Sequence, residues 1–320
     1  MDWRERVAAY LHERLPSAES VAVGRVGAMP AGASNETAAV DLLVTCGGTT
    51  TTVPLVLRPQ RRDGILAPYD VERQYRVMRA LKRTAVPVPT VAWLERDAGV
   101  LGAPFFFMHR LSAETLPLFW YGGGSPRLMA AARALAAVHR VDWRPAGLGF
   151  LLPPGADESA PPSPLLCELA LWDVRAERMG VARHPVLVAL RAYLVANEPP
   201  DALHALIHGD PNPGNYLFRG DAVVAVVDWE LGSIGDPRSD LGFYAALMSV
   251  FGGWPSDDGH SVLSYAYEEA TGAPLTHLPY YAAWGLYRMA VVMSGWGWGY
   301  GGLDSLAGRL SHLLGPGWAG

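Results

Sequence analysis

The sequence predicts an α+β fold in which a small β-rich lobe precedes a large, mainly helical one. Two observations predict it. Runs of β-branched residues bounded by turn residues crowd the first third of the chain. Alanine- and leucine-rich segments with helical periodicity fill most of the remainder. The change of pattern after Leu111 divides the chain into residues 1–110 and 111–320. The crevice between two such lobes is the expected ligand site.

Each element follows in order. The opening MDWRERVAAYLHERLP alternates charged and apolar residues at helical spacing and lacks the unbroken apolar core of a signal peptide. VAVGRV and TAAVDLLVT read as strands bracketing the polar turn PAGASNET, and TTTVPLVLRP as a third strand. DVERQYRVMRALKRT sets Val71, Tyr75, Met78 and Leu81 at helical spacing and stops before VPVPT. VAWLER and PFFFMHRL complete the strands. SPRLMAAARALAAVHRVDW is then a helix, PPGADESAPPSP a surface loop, and helices follow near 164–180 and 184–197. LFRG and AVVAVVDW are short strands, and helices run from about 237 to 314. The apolar segment at 280–300 carries Arg288 at its middle and glycines at its end, so it reads as a buried helix rather than a membrane span.

Composition excludes several classes of function. Half of the 320 residues are hydrophobic and 18% are charged, as in a folded globular chain. A net charge of −5 gives no electrostatic case for nucleic acid or an anionic membrane surface. Cys46 and Cys167 are the two cysteines and form no CxxC pair, which argues against a disulfide framework and for a reducing, cytoplasmic setting.

The chemistry concentrates in HALIHGDPNPGNYLF, residues 204–218. His204 and His208 would share one face of a helix, but the glutamate of a zinc-protease motif is replaced by Ala205, and GDPNPGN forbids helix continuation. His208, Asp210 and Asn215 instead have the spacing of a kinase catalytic loop, and the apolar run AVVAVV leads into Asp228 beyond them. Phosphoryl transfer needs such a set. One carboxylate orients the acceptor hydroxyl and takes its proton, while an asparagine and a second carboxylate hold Mg²⁺ against the phosphates.

HGDPNPGN followed by VVDWELGSIGDPRSDLG resembles the aminoglycoside phosphotransferase family, especially its branch associated with acyl-CoA dehydrogenases. The resemblance covers about residues 20–300 and implies a two-lobed, protein-kinase-like fold that uses ATP or GTP with Mg²⁺. It implies that Asp210 is the catalytic base, that His208 shapes its loop, and that Asn215 and Asp228 hold metal. Asp240 of the GDPxxDL segment is expected to brace the loop, and Asp236 and Glu230 to be structural. In the first lobe, Gly32, Ser34 and Asn35 are candidate phosphate contacts through backbone N–H groups. Met108 to Arg110 form the expected hinge, whose backbone would meet the adenine.

Two positions depart from the family pattern. Arg58 stands where a lysine is expected to reach the phosphates, and Gln74 where a glutamate is expected to pair with it. Glu72 lies about 200° round the helix from Gln74 and cannot replace it. These departures support an alternative, a pseudokinase-like module that binds a nucleotide or metabolite and regulates.

Few carboxylates and many aromatics follow residue 242, which fits an amphipathic hydroxyl acceptor better than a polycationic one. The dehydrogenase-associated branch suggests a hydroxyacyl thioester. Arg288, Trp296 and Trp298 are the candidate acceptor contacts, although Arg288 could equally pair with a buried acid. His139 reads as a core histidine, and GWGWGYGG, residues 295–302, as an aromatic loop rather than a dinucleotide fingerprint. The oligomeric state is left open.

Overall fold

The computed structural model of the chain describes residues 2–28, 37–116, 125–250, 256, 258–297 and 299–318. It divides into two compact units, residues 1–83 with 88–112, and residues 84–87 with 113–320.

The first unit begins with α1 (Trp3–Arg14), whose N-terminus is closed by a reciprocal capping box between Asp2 and Glu5. Strands β1 (Ser20–Ala28), β2 (Ala38–Cys46) and β3 (Thr49–Pro59) follow. The β2–β3 hairpin closes through Gly47 and Gly48 at φ 56° and 73°, conformations a tight two-residue turn requires and glycine adopts freely. Next come α2 (Val71–Leu81), β4 (Val91–Glu95), α3 (Ala98–Leu101) and β5 (Phe105–His109). The five strands form an antiparallel sheet in the order β1-β2-β3-β5-β4.

Alternation along β5 sorts its three phenylalanines between the two faces of the sheet. Phe105 and Phe107 join Val7, Tyr10 and Leu11 of α1 over Val40, Leu42, Leu55 and Leu57. Phe106 instead meets Tyr75 of α2, with ring centroids 5.9 Å apart. Both faces of the sheet are therefore covered by a helix.

The second unit holds β6 (Glu114–Thr115), α4 (Pro126–His139), α5 (Pro164–Arg178), α6 (Pro185–Ala196), β7 (Ala205–Ile207), β8 (Tyr216–Arg219), β9 (Ala222–Val226) and β10 (Ser233–Gly235). Helices α7 (Pro237–Val250), α8 (Val262–Thr271), α9 (Leu278–Gly295) and α10 (Gly299–Leu314) complete it. β6, β8 and β9 form one small antiparallel sheet, and β7 pairs with β10.

Helix α9 is buried at every residue from Tyr280 to Met293. It packs against α7 through glycines: a Cβ on Gly242 would run into the Tyr281 carbonyl, and one on Gly285 into the Gly242 carbonyl. Gly285→Ala is thus expected to destabilise the protein by about 1–3 kcal/mol through overpacking. A denaturant midpoint unchanged by that substitution would show that the two helices separate freely. No helix among the described residues is long and apolar enough to cross a membrane.

The segment 295–302, expected as one aromatic loop, is mostly two helix ends. α9 runs to Gly295 and α10 begins at Gly299, with Trp296 and Gly297 in a turn. Gly297 takes φ 83°, the left-handed conformation that ends a helix most readily at glycine.

Candidate active site

The loop after β7 is pinned at nearly every peptide. Buried Asp240, in the first turn of α7, accepts from the His208 N–H at 2.8 Å through Oδ2 and from the Gly209 N–H at 2.7 Å through Oδ1. His139, at the end of α4, donates from Nε2 to the same Asp240 Oδ2 at 3.0 Å, and its Nδ1 lies 2.9 Å from the Tyr267 hydroxyl. Burial opposes ionisation of Asp240, but His139 and the loop N–H donor hold its carboxyl below the usual aspartate range. His139 is buried, as expected of a core histidine, and its ring also supports the brace beneath the loop.

His208 is fully buried, and both of its ring nitrogens are engaged. Nε2 donates to the Val227 carbonyl at 2.8 Å, and Nδ1 accepts from the Asp210 N–H at 3.2 Å. These bonds select the Nε2–H tautomer. Both ring nitrogens of His208 are thus committed to backbone groups, and neither is open to a reacting group. The zinc reading fails on the same geometry. Ala205–Ile207 is a strand, and the His204 ring is engaged separately, with Nε2 2.6 Å from the Pro162 carbonyl.

Asp210 follows in the same loop. Its Oδ2 accepts from Asn212 Nδ2 at 2.7 Å and from Asn215 Nδ2 at 2.9 Å, whereas Oδ1 accepts no hydrogen bond among the described residues. Desolvation pushes the Asp210 carboxyl above the ordinary aspartate range against the pull of both amides, and the charge of Asp228 pushes the same way. Asn212 escaped sequence reading because asparagine between two prolines is ordinary turn chemistry.

Asp228 is brought to the loop by its chain neighbours. The Val227 N–H donates to the Asn215 carbonyl at 2.9 Å, and the Trp229 ring lies 4.7 Å from that of His208. Asp228 itself adopts φ 65°, ψ 59°, a left-handed conformation uncommon outside glycine and frequent at functional sites. Asp236 is buried and structural: Oδ1 accepts from the Arg238 N–H at 2.9 Å, and Oδ2 from the Leu203 N–H at 2.8 Å.

The remaining predicted residues fare unevenly. Gly32, Ser34, Asn35 and Trp298 lie outside the described residues. Arg58 is buried in the first unit, with Nη1 3.4 Å from Thr37 Oγ1. Gln74 is 1% exposed, and its Nε2 has no hydrogen-bond partner among the described residues. Glu72 is committed elsewhere, to a bidentate pair with Arg96 at 2.7 and 2.6 Å.

The expected hinge, Met108 to Arg110, is engaged with neighbouring backbone through its N–H groups. Met108 lies inside the sheet between Val56 and Val91, the His109 N–H donates to Thr90, and the Arg110 N–H to Pro54 at 3.0 Å. The N–H groups of both His109 and Arg110 are thus used by neighbouring backbone and are closed to a base. Arg288 meets the second of its two expectations, a buried acid, with Nη1 3.7 Å from Glu168 Oε2. It is 1% exposed, and its guanidinium donates to the Gly209 carbonyl, so it is closed to an acceptor. Trp296 keeps an exposed indole.

The phosphotransferase enzyme family model matches residues 27–276, most of the chain. The chain belongs to this family. Among solved structures, the chain is similar to a candidate aminoglycoside phosphotransferase from Ralstonia eutropha, at TM-score 0.63 and 25% identity, over 98% of this chain and 96% of the other. It is also similar to a macrolide 2′-phosphotransferase from Brachybacterium faecium at TM-score 0.55 and 20% identity, over 96% and 97% of the two chains. Choline kinase from Streptococcus pneumoniae gives 0.54 and 15%, over 96% and 99%. The fold is therefore the two-lobed, kinase-like α+β fold.

Among curated proteins, the chain is 31% identical over 212 residues to acyl-CoA dehydrogenase family member 11 of Gallus gallus, 63% of this chain. It is 29% identical over 198 residues to family member 10 of Mus musculus, 59% of this chain. These matches span only 26% and 18% of the relatives' own lengths.

Proposed function

We propose that the protein is a Mg²⁺-dependent small-molecule kinase that moves the γ-phosphoryl group of ATP or GTP to a hydroxyl. Asp210 is the observation that carries this reading. One carboxylate oxygen is fixed by two amides, and the other accepts no hydrogen bond among the described residues. A carboxylate held in that way suits orienting an acceptor hydroxyl and receiving its proton. As the acceptor oxygen bonds to the γ-phosphorus, the bond to the β–γ bridging oxygen breaks. The electron pair leaves with the nucleoside diphosphate, and the proton passes to Asp210 Oδ1.

The donor set fits a hard divalent cation. Asn215 spends its amide nitrogen on Asp210, so its Oδ1 stays without a hydrogen bond among the described residues, and Asp228 supplies a carboxylate whose charge Asp210 feels. Mg²⁺ held by Asn215 and Asp228 would offset that charge and the charge of the phosphates. A purine nucleotide donor is supported by two structural neighbours, an aminoglycoside 2′-phosphotransferase in complex with GDP and an aminoglycoside phosphotransferase in complex with ADP and hygromycin B. Arg58 is our candidate phosphate cation. For the acceptor, the acyl-CoA dehydrogenase relatives favour a hydroxyacyl thioester.

Asp228→Ala tests the reading. Slow Mg²⁺-dependent nucleotide hydrolysis by the wild type is expected to fall at least about 100-fold in the variant. Equal rates would remove Asp228 from the metal site. A second reading, a regulatory module that binds a nucleotide or metabolite without turnover, is favoured by Gln74, and nucleotide binding that needs no Mg²⁺, with no hydrolysis, would support it.

A further inference from the structure

Arg288 occupies the middle of the buried helix α9, and its contacts are specific. Nη2 donates to the Gly209 carbonyl oxygen, and Nη1 lies 3.5 Å from Ser239 Oγ and 3.7 Å from Glu168 Oε2. Glu168, 3% exposed on α5, also accepts from Ser239 Oγ at 2.6 Å and from Trp284 Nε1 at 3.0 Å through that same Oε2. The rings of Phe243 and Trp172 lie 4.1 and 5.0 Å from the guanidinium. Aromatic rings and buried polar groups enclose the cation.

The carbonyl it grips belongs to the peptide that carries Asp210. The N–H of that peptide donates to His208 Nδ1 at 3.2 Å, so both of its polar ends are held. The preceding N–H is held by Asp240, and Gly209 takes φ 84°, where a Cβ would strike the Leu231 carbonyl. The peptide plane next to Asp210 can then rotate only by breaking a buried, charge-assisted bond.

Stability gives little reason for such a pair, since a buried Arg–Glu pair is about matched by well-packed apolar residues of similar volume. What apolar residues cannot supply is a donor to the Gly209 carbonyl. We infer that Arg288, oriented by Glu168, is a positioning residue that fixes the Gly209–Asp210 peptide and thereby the direction of the Asp210 carboxylate.

The kinetic arm of the test rests on the kinase reading, and a second arm does not. Arg288→Met is expected to lower kcat by about 10–100-fold, the loss that a misplacement of about 1 Å produces, while KM for nucleotide and acceptor stays within about twofold. Arg288→Lys, which keeps the charge and one donor, is expected to recover part of the rate. The double variant Glu168→Gln with Arg288→Met leaves no lone buried charge, so it separates misfolding from misplacement, and it should remain slow.

Independently, hydrogen exchange across residues 206–216 should be faster in Arg288→Met and in the double variant than in the wild type. Unchanged exchange protection, or wild-type kcat in the folded double variant, would overturn the inference. If the wild type transfers phosphate to no acceptor, the kinase reading falls, and the exchange comparison still decides this one.

Discussion

Asp210→Asn is expected to lower kcat by about 10²–10⁴-fold while nucleotide affinity changes by no more than about twofold, measured by steady-state kinetics and calorimetry. The substitution keeps size and shape. The new amide can turn its oxygen toward Asn212 and Asn215, which now hold Oδ2 at 2.7 and 2.9 Å. Only the ability to accept a proton is lost. The same variant should be more stable than the wild type in metal-free buffer near neutral pH. Desolvation and the neighbouring Asp228 raise the Asp210 pKa, so folding disfavours its charged form as pH rises through the folded value. A variant that turned over at wild-type rate would move the base elsewhere.

Asp240→Ala is expected to destabilise the protein by about 3–5 kcal/mol, the cost typical of removing one partner from a buried charged network. Three donors lose their acceptor: the N–H groups of His208 and Gly209, and His139 Nε2. None can reach water without disturbing the loop, because Asp240 and His208 are fully buried. Denaturant titration reads the loss.

The pH dependence has a definite sign. Because the folded pKa of Asp240 is depressed, its contribution is present above the ordinary aspartate value and lost as pH falls through the folded one. The variant should lack that part of the acid slope. A midpoint within about 0.5 kcal/mol of wild type would show that the loop holds itself without the brace.

The strands and helices were legible where periodicity runs long enough to register. FFFMH shows as a short apolar run bounded by Pro104 and Arg110, and α2 by its apolar stripe. β7 and β10 were not legible, because three residues each carry no measurable period. The candidate site residues were legible for a different reason: phosphoryl transfer would fix residue type and spacing within one short loop, and Asp228 follows just after the β8–β9 hairpin.

Support for the loop was harder to read because it comes from distant chain. His139 is 101 residues from Asp240, and Glu168 is 71 from Ser239, so only folding joins them. Arg288 shows how far sequence reaches. A cation on an apolar helix had to meet something, and whether that was a substrate or a buried acid depended on packing that periodicity does not encode. At Gln74 the sequence signalled the departure, and the structure adds that Glu72 is already taken by Arg96.

The most direct measurement is phosphate incorporation from γ-labelled ATP or GTP into a panel of hydroxylated metabolites, including hydroxyacyl thioesters, aminoglycosides, macrolides and choline. At least one acceptor is expected to gain a single phosphate ester, and both a chelator and Asp210→Asn should abolish the transfer. Transfer that persisted in Asp210→Asn, or no transfer to any acceptor together with Mg²⁺-independent nucleotide binding, would contradict a catalytic site built on Asp210, Asn215 and Asp228.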